Sequence, residues 1–314
     1  MNDSTAVNDS RGLLLPGLDA TNPLGFLAAM GLFRIVTCLT PQQAPRMSWE
    51  PTVGTWVARL WDFTDQEEEL LRWLDGQLTK EYEHHPFDQL STLGVEEWAQ
   101  RRSLIANVAE LASLGDCTFA YWVSAMTSDA VSSNETTQLQ TARRDYFRGN
   151  VQSVISATSR EHLARTLFRT WDYADALHNQ SLHFDPGEDR RHAHQWNRPS
   201  GDPDRGKFGG MLGANRLALE ALPAFLSVPK VDRLQTLGFS GTRSNDTRWT
   251  WAIWTTPVEF EVAKSLLALP ELQETTIGTQ NRRSLQARGI AAAFRSRRIL
   301  VGKTPNFTPP QRVA

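Results

Sequence analysis

LLLPGLDATNPLGFLAAMGLFRIVTCLTPQQAPRMSWEPTVGTWVARLW, residues 13–61, changes its patterning twice. Leu13–Leu15 form a short apolar run closed by Pro16-Gly17, as an extended segment would. Thr21 or Asn22 can cap a helix, with Pro23 at its first position, where a missing N–H costs nothing. Leu24, Leu27, Ala28, Gly31, Leu32, Ile35 and Val36 then recur at helical spacing. The small residues Gly25, Ala28, Ala29 and Gly31 leave room for another backbone. Pro41 and Pro45 end the helix, and the aromatic and β-branched character of Met47–Trp61 predicts two short strands around Pro51–Gly54. A strand, a buried helix and a strand pair in that order predict an α+β fold with a sheet layer early in the chain.

Outward from this block, Leu70, Leu71, Trp73, Leu74 and Leu78 mark an acidic amphipathic helix over 65–78. Residues 95–126 are helical in pattern with a break at Gly115-Asp116, and two more helices joined near Ser159 follow Thr141. Between them the polar run SDAVSSNETTQLQ predicts a mobile loop at 128–140. It divides an N-terminal α+β part (13–127) from a C-terminal one (141–314), which could still form one continuous domain; residues 1–12 have the composition of a disordered leader. Residues 179–213, rich in Gly, Pro, charge and aromatics, predict a long ordered loop. A helix over 214–225 and a strand over 234–239 come next. Trp249, Trp251 and Ile253 alternate with Thr250, Ala252 and Trp254 in a strand with an aromatic face, VEFEVAKSLLALPEL is an amphipathic helix, and GIAAAFRSRRILV is a final strand. The order lacks the regular alternation of a doubly wound fold, so mixed helices with a small antiparallel or mixed sheet are expected.

The chain has 314 residues, 40% of them hydrophobic, enough for a sizeable core. Two cysteines cannot build a cysteine-rich zinc site or a disulfide framework, and their use fits a reducing cytoplasm. No apolar run approaches a bilayer span, so no membrane partner is expected. The net charge of −2 conceals a separation. Residues 62–97 carry eleven acids and two bases, whereas 281–314 carry eight bases and no acid. A local cation of that size suits a polyanion, because phosphate contacts dominate nucleic-acid affinity.

Asp185, Glu188, Asp189, Arg190, Arg191, His192 and His194 are the densest polar cluster. Its acids and histidines suit a metal-dependent nuclease or hydrolase, its ion pairs could instead hold the loop, and Arg190, Arg191 and Arg198 with Trp196 could grip and stack on nucleic acid. No nucleophile elbow, P-loop or dinucleotide fingerprint is present. Backbone amides at Gly209, Gly210 and Gly213 could approach an anion at the following helix start, with Asn215 and Arg216 in its first turn. On the final strand Arg295 and Arg297 share one face and Arg298 takes the other, giving a basic row that could track a backbone; Arg288 lies just before it. These residues predict DNA contact, with no catalytic set, no metal and no cofactor.

LPGLDATNPLGFLAAMGLFRIV, SLHFDPGEDRRHAHQWNRPSGDP, GANRLALEALPAF, TWAIWTTPVEFEVAKSLLALPEL and LQARGIAAAFRSRRILVGKTPNFTP resemble CRISPR-associated proteins of type I-G systems, formerly I-U, of the large-subunit-like or helicase-nuclease-extension kind. The resemblance runs from Leu13 to Pro309 and is thinnest over 62–159. It implies a cytoplasmic, non-catalytic subunit of a complex containing crRNA and other effector subunits, which meets target double-stranded DNA and a helicase-nuclease. It brings no catalytic residues. A chain with a purely protein-interaction role, using the acidic helix, is the remaining alternative.

Overall fold

The computed structural model describes residues 12–79, 85, 87–88, 106, 110, 118–128, 130–131, 136–141, 144–175, 181–187, 209–231, 233–241, 246–301 and 304–314. The chain opens with β1 (Leu13–Asp19), α1 (Pro23–Leu39), β2 (Arg46–Thr52), β3 (Thr55–Trp61) and α2 (Glu67–Leu78). Helices α3 (Thr118–Met126), α4 (Arg144–Ala157), α5 (Arg160–Phe168) and α6 (Leu212–Ala221) form its middle. Then come β4 (Ser227–Lys230), β5 (Arg233–Thr236), β6 (Phe239–Ser240), β7 (Arg248–Trp254), β8 (Val258–Glu259), α7 (Phe260–Leu267), α8 (Pro270–Gln273), α9 (Thr279–Ala287), β9 (Ile290–Val301), β10 (Thr304–Phe307) and β11 (Gln311–Arg312). The fold is α+β with antiparallel pairing, as the patterning predicts.

The first sheet runs β1-β3-β2-β8. Its central hairpin pairs Trp49 with Ala58 and Thr52 with Thr55, turning through Gly54 at φ +83°, a conformation glycine adopts without steric cost. The second runs β10-β9-β7-β6, with β11 also on β9. Residues 234–239 are not one strand: the left-handed Gly238, φ +80°, separates β5 from β6. Nor is β9 the last strand, since β10 and β11 fold back on it.

Helix α1 starts where the capping signal puts it. Asn22 Oδ1 accepts the Leu24 N–H at 2.8 Å, with Pro23 first in the helix. Every residue from Pro23 to Val36 is buried, the signature of a central core helix. It packs along α6, and a Cβ at Gly31 would strike the Leu217 carbonyl. Phe26 sits among Trp49, Trp249 and Trp251 at centroid distances of 5.6, 6.0 and 5.6 Å. Trp251 Nε1 donates to Ala20 O and Trp254 Nε1 to Met47 O, each at 2.9 Å, so the second sheet is hydrogen-bonded to the first. One hydrophobic cluster spans both parts of the chain.

Of the stretch expected as a mobile loop, residues 129 and 132–135 lie outside the described residues, and 136–140 pack against β5. Thr137, Leu139 and Gln140 are buried, and Gln138 exchanges hydrogen bonds with Thr236 through its backbone N–H and side-chain oxygen. The polar side chain and backbone of Gln138 serve β5. Among the described residues no helix is long and apolar enough to cross a membrane.

Candidate nucleic-acid interface

The sequence-selected residues fall into three environments. Asn215 and Arg216 lie inside. Helix α6 begins at Leu212, two residues earlier than the patterning suggests, so neither residue reaches an exposed first turn. Asn215 Nδ2 donates to Met211 O at 3.0 Å, and its Oδ1 accepts the Leu182 N–H at 2.8 Å. Arg216 Nη1 donates to Glu220 Oε1 at 2.5 Å, one turn on. Arg34 of α1 donates to Glu220 Oε2 at 2.8 Å, and His85 Nε2 lies 2.9 Å from Oε1. Burial alone would push the Glu220 carboxyl up, but the Arg216 charge, the His85 hydrogen bond and the Arg34 charge outweigh it and hold the group well below the usual carboxylate range. These two sequence candidates therefore build the core and offer nothing to DNA.

An anion does sit at the start of α6, and the chain supplies it. Asp175 Oδ2 accepts the Leu212 N–H at 2.7 Å, while Gly210 N donates to Asp175 O at 2.7 Å. Arg165 pairs with the same carboxylate from α5. The glycine-rich segment is thus a docking turn for an internal acid. Asp185, the first member of the polar cluster, is buried and accepts from Asn22 Nδ2 at 3.0 Å, Tyr173 Oη at 2.9 Å and the Gly187 N–H at 2.7 Å. Its carboxylate holds the start of α1 to the 173–187 segment. Glu188, Asp189, Arg190, Arg191, His192, His194, Trp196 and Arg198 lie outside the described residues.

A second group is tethered at the surface. Arg295 is half-buried, and its Nε donates to Thr250 Oγ1 at 2.8 Å. Its terminal nitrogens reach three carbonyls at and beyond the end of α8: Leu272 at 2.9 Å, Glu274 at 2.7 Å and Thr275 at 2.7 Å. It thereby satisfies carbonyls that a helix end leaves open, and it cannot track a nucleic-acid backbone at the same time. Burial lowers its pKa, and the nearby Arg248 charge lowers it further. Arg298 Nη2 donates to Gln140 O at 2.9 Å, tying β9 to the 136–141 segment. Arg288 is exposed and donates to Glu271 Oε1 at 2.7 Å.

Third are the outward cations. Arg297 is exposed on β9, and the strand alternation puts it on the Arg295 face as predicted. Arg282 and Arg283 are exposed on α9, Arg282 Nε donating to Ile277 O at 3.2 Å, in a helix the sequence does not reveal because Leu285 is its one buried residue. Arg248, absent from the sequence candidates, stands directly across from Arg297 in the β7–β9 ladder but is itself largely buried. Its signal was available: in RWTWAIW, counting by twos from Thr250 puts Arg248 opposite the tryptophan stripe. Lys230 and Arg233 flank the exposed tip of the β4–β5 hairpin.

Arg282, Arg283 and Arg297 are thus exposed cations on the second sheet and its flanking helix. Among the described residues no cluster of three or more His, Cys, Asp or Glu is arranged to hold a metal ion. No protein-family model matches the chain, and no curated protein matches it.

Proposed function

We propose that this chain is a non-catalytic, cytoplasmic subunit of a type I CRISPR surveillance complex. It would contact target DNA, as flanking-motif duplex or displaced strand, and help bring in the helicase-nuclease. The observation that carries the reading is the set of exposed arginines Arg282, Arg283 and Arg297, in a segment where no Asp or Glu follows Glu274. Arginines on a helix and an adjoining strand suit backbone contact without base readout. The block resemblance supplies the biological setting.

The test is DNA binding by the assembled complex with Arg282, Arg283 and Arg297 changed to glutamine. Affinity should drop, and the slope of log K against log salt should flatten by about one for each phosphate that the variant no longer neutralises. Unchanged affinity and slope would overturn the reading. Crosslinking adds a second readout: protein adducts at the exposed acids Glu67 and Glu69 of α2, with no DNA adducts over 279–312, would instead make the chain a protein-interaction subunit.

A further inference from the structure

The β4–β5 hairpin projects from a buried base. Ser227 Oγ donates to Ala125 O at 2.8 Å and lies 2.9 Å from Thr236 Oγ1, while Gln138 brackets Thr236 through its backbone N–H and side-chain oxygen, each at 2.9 Å. These contacts fix where the strands leave the body. Beyond them Val228, Pro229, Lys230, Val231 and Arg233 are exposed, Val228 to 58% and Val231 to 93%. Lys230 pairs with Arg233 in register, leaving a two-residue turn whose first member, Val231, sits at φ +60°. The β2–β3 turn gives its left-handed position to Gly54; this one gives it to a β-branched residue, for which that conformation is strained. A valine both strained and exposed gains nothing from its own fold, and such outliers gather where a surface is used.

Beside the hairpin lies a groove of about 420 Å³ between β4–β5 and α7, with Leu226, Val228, Leu237 and Phe239 in its apolar lining and Glu261 and Lys264 on its helical side. The two sides carry opposite net charge. At the hairpin tip Lys230 and Arg233 stand against Asp232, a surplus of one base. At the start of α7 Glu259 and Glu261 stand against Lys264, a surplus of one acid. Glu261 is 75% exposed, and its pair with Lys264 at 2.9 Å faces solvent, where such a pair contributes little.

We propose that the β4–β5 hairpin and the groove beside it form a two-fold interface that binds a second copy of this chain. Around a two-fold axis one patch meets itself, so each hairpin tip lies over the other copy's groove. Val231 enters the apolar lining, and Lys230 faces Glu261 of the partner subunit. A second copy is the occupant because the patch supplies both halves of its own complement: an apolar projection with a surplus base, and an apolar recess with a surplus acid. The buried base holds the tip in place before contact, so little ordering is left to pay on association. This interface goes beyond the proposed DNA role and uses none of its arginines.

Sedimentation equilibrium of the full chain over a concentration series tests it. Wild type should follow a monomer–dimer equilibrium. Lys230→Glu and Glu261→Lys, both at exposed positions, should each raise the dimer dissociation constant about tenfold, because a two-fold interface loses the contact twice. The double variant Lys230→Glu with Glu261→Lys should recover the wild-type constant, since opposite charges again face each other. Val231→Asn should also weaken the dimer, while the dilute, monomeric chain melts above wild type, because asparagine takes the left-handed turn at lower cost. A wild-type chain that stays monomeric overturns the proposal. So does a dimer unaffected by Lys230→Glu or Val231→Asn, a double variant as weak as the single ones, or a Val231→Asn chain that melts below wild type when dilute. A monomeric chain whose hairpin crosslinks, in the assembled complex, to a different subunit gives the hairpin to that subunit and overturns the second copy. DNA binding by the complex is read separately: a monomer with intact DNA binding defeats this interface and leaves the proposed function standing, and a dimer without DNA binding does the reverse.

Discussion

Arg216 and Arg248 are both largely buried arginines beside a second arginine, and they differ in what lies between the two. In the core, Arg34 and Arg216 converge on the Glu220 carboxylate, and every member of that cluster is at least nine-tenths buried. On the outer sheet face, Arg248 stands opposite Arg297, and the carboxylate it pairs with is the exposed Asp246 at 3.7 Å. In the first arrangement the counter-charge is a buried carboxylate of the same chain, although Arg216 Nε, like Arg248 Nε, is buried without a hydrogen-bond partner among the described residues. In the second, Arg248 meets its acid only at the long end of pairing distance, and that acid is exposed. The two arginines are thus distinguished by whether their counter-charge is buried or exposed, a difference that comes from their neighbours in the fold.

Removing the internal counter-charge should have the largest effect. Glu220→Gln leaves two buried guanidiniums uncompensated and should cost about 3–5 kcal/mol in denaturant unfolding at neutral pH. Because the folded-state pKa is depressed, the stabilisation from ionised Glu220 is fully present above its unfolded value of about 4.3 and is lost as pH falls toward the folded value. The gap between wild type and Glu220→Gln should therefore narrow below about pH 4. A gap independent of pH would show that the Gln variant fails for reasons of packing.

A middle effect is expected where an arginine serves carbonyls. Arg295→Met keeps the buried stem but leaves the Leu272, Glu274 and Thr275 oxygens without their donor, and should cost about 1–3 kcal/mol. Hydrogen exchange should localise the loosening to the 270–275 stretch. An unchanged unfolding curve would return Arg295 to the outward set. The smallest change in stability, within about 0.5 kcal/mol, is expected for Arg283→Gln on the open face of α9. The same variant in the assembled complex should weaken DNA binding, so stability and binding respond in opposite order across the series.

Much of this was legible beforehand. Asn22-Pro23 announces α1, the alternation in RWTWAIW announces β7, and the aromatic hairpin around Gly54 reads as it folds. These are local signals, set by capping, turn conformation and side-chain period. The burial of Arg216 had a partial signal in its spacing of four from Glu220, but α6 is apolar on so many sides that only contact with α1 decides which positions face inward. Helix α9 gave no apolar stripe to read because its outer face is the charged one. Residues 136–140 look like a solvated linker in composition, and their polar groups are instead used up by β5.

The amino-acid sequence by itself determined α1, the β2–β3 hairpin, β7, the α+β class and the separation of an acidic stretch from a basic end, since all of these depend on neighbours within a few residues. Tertiary structure decided which arginines are tied inside the fold and which face outward. Asp175, Glu220, Gln140 and the carbonyls around the end of α8 meet their partners only when distant segments pack. An ion pair or a carbonyl clamp requires atoms within hydrogen-bond reach, and for these charges the fold alone supplies that proximity.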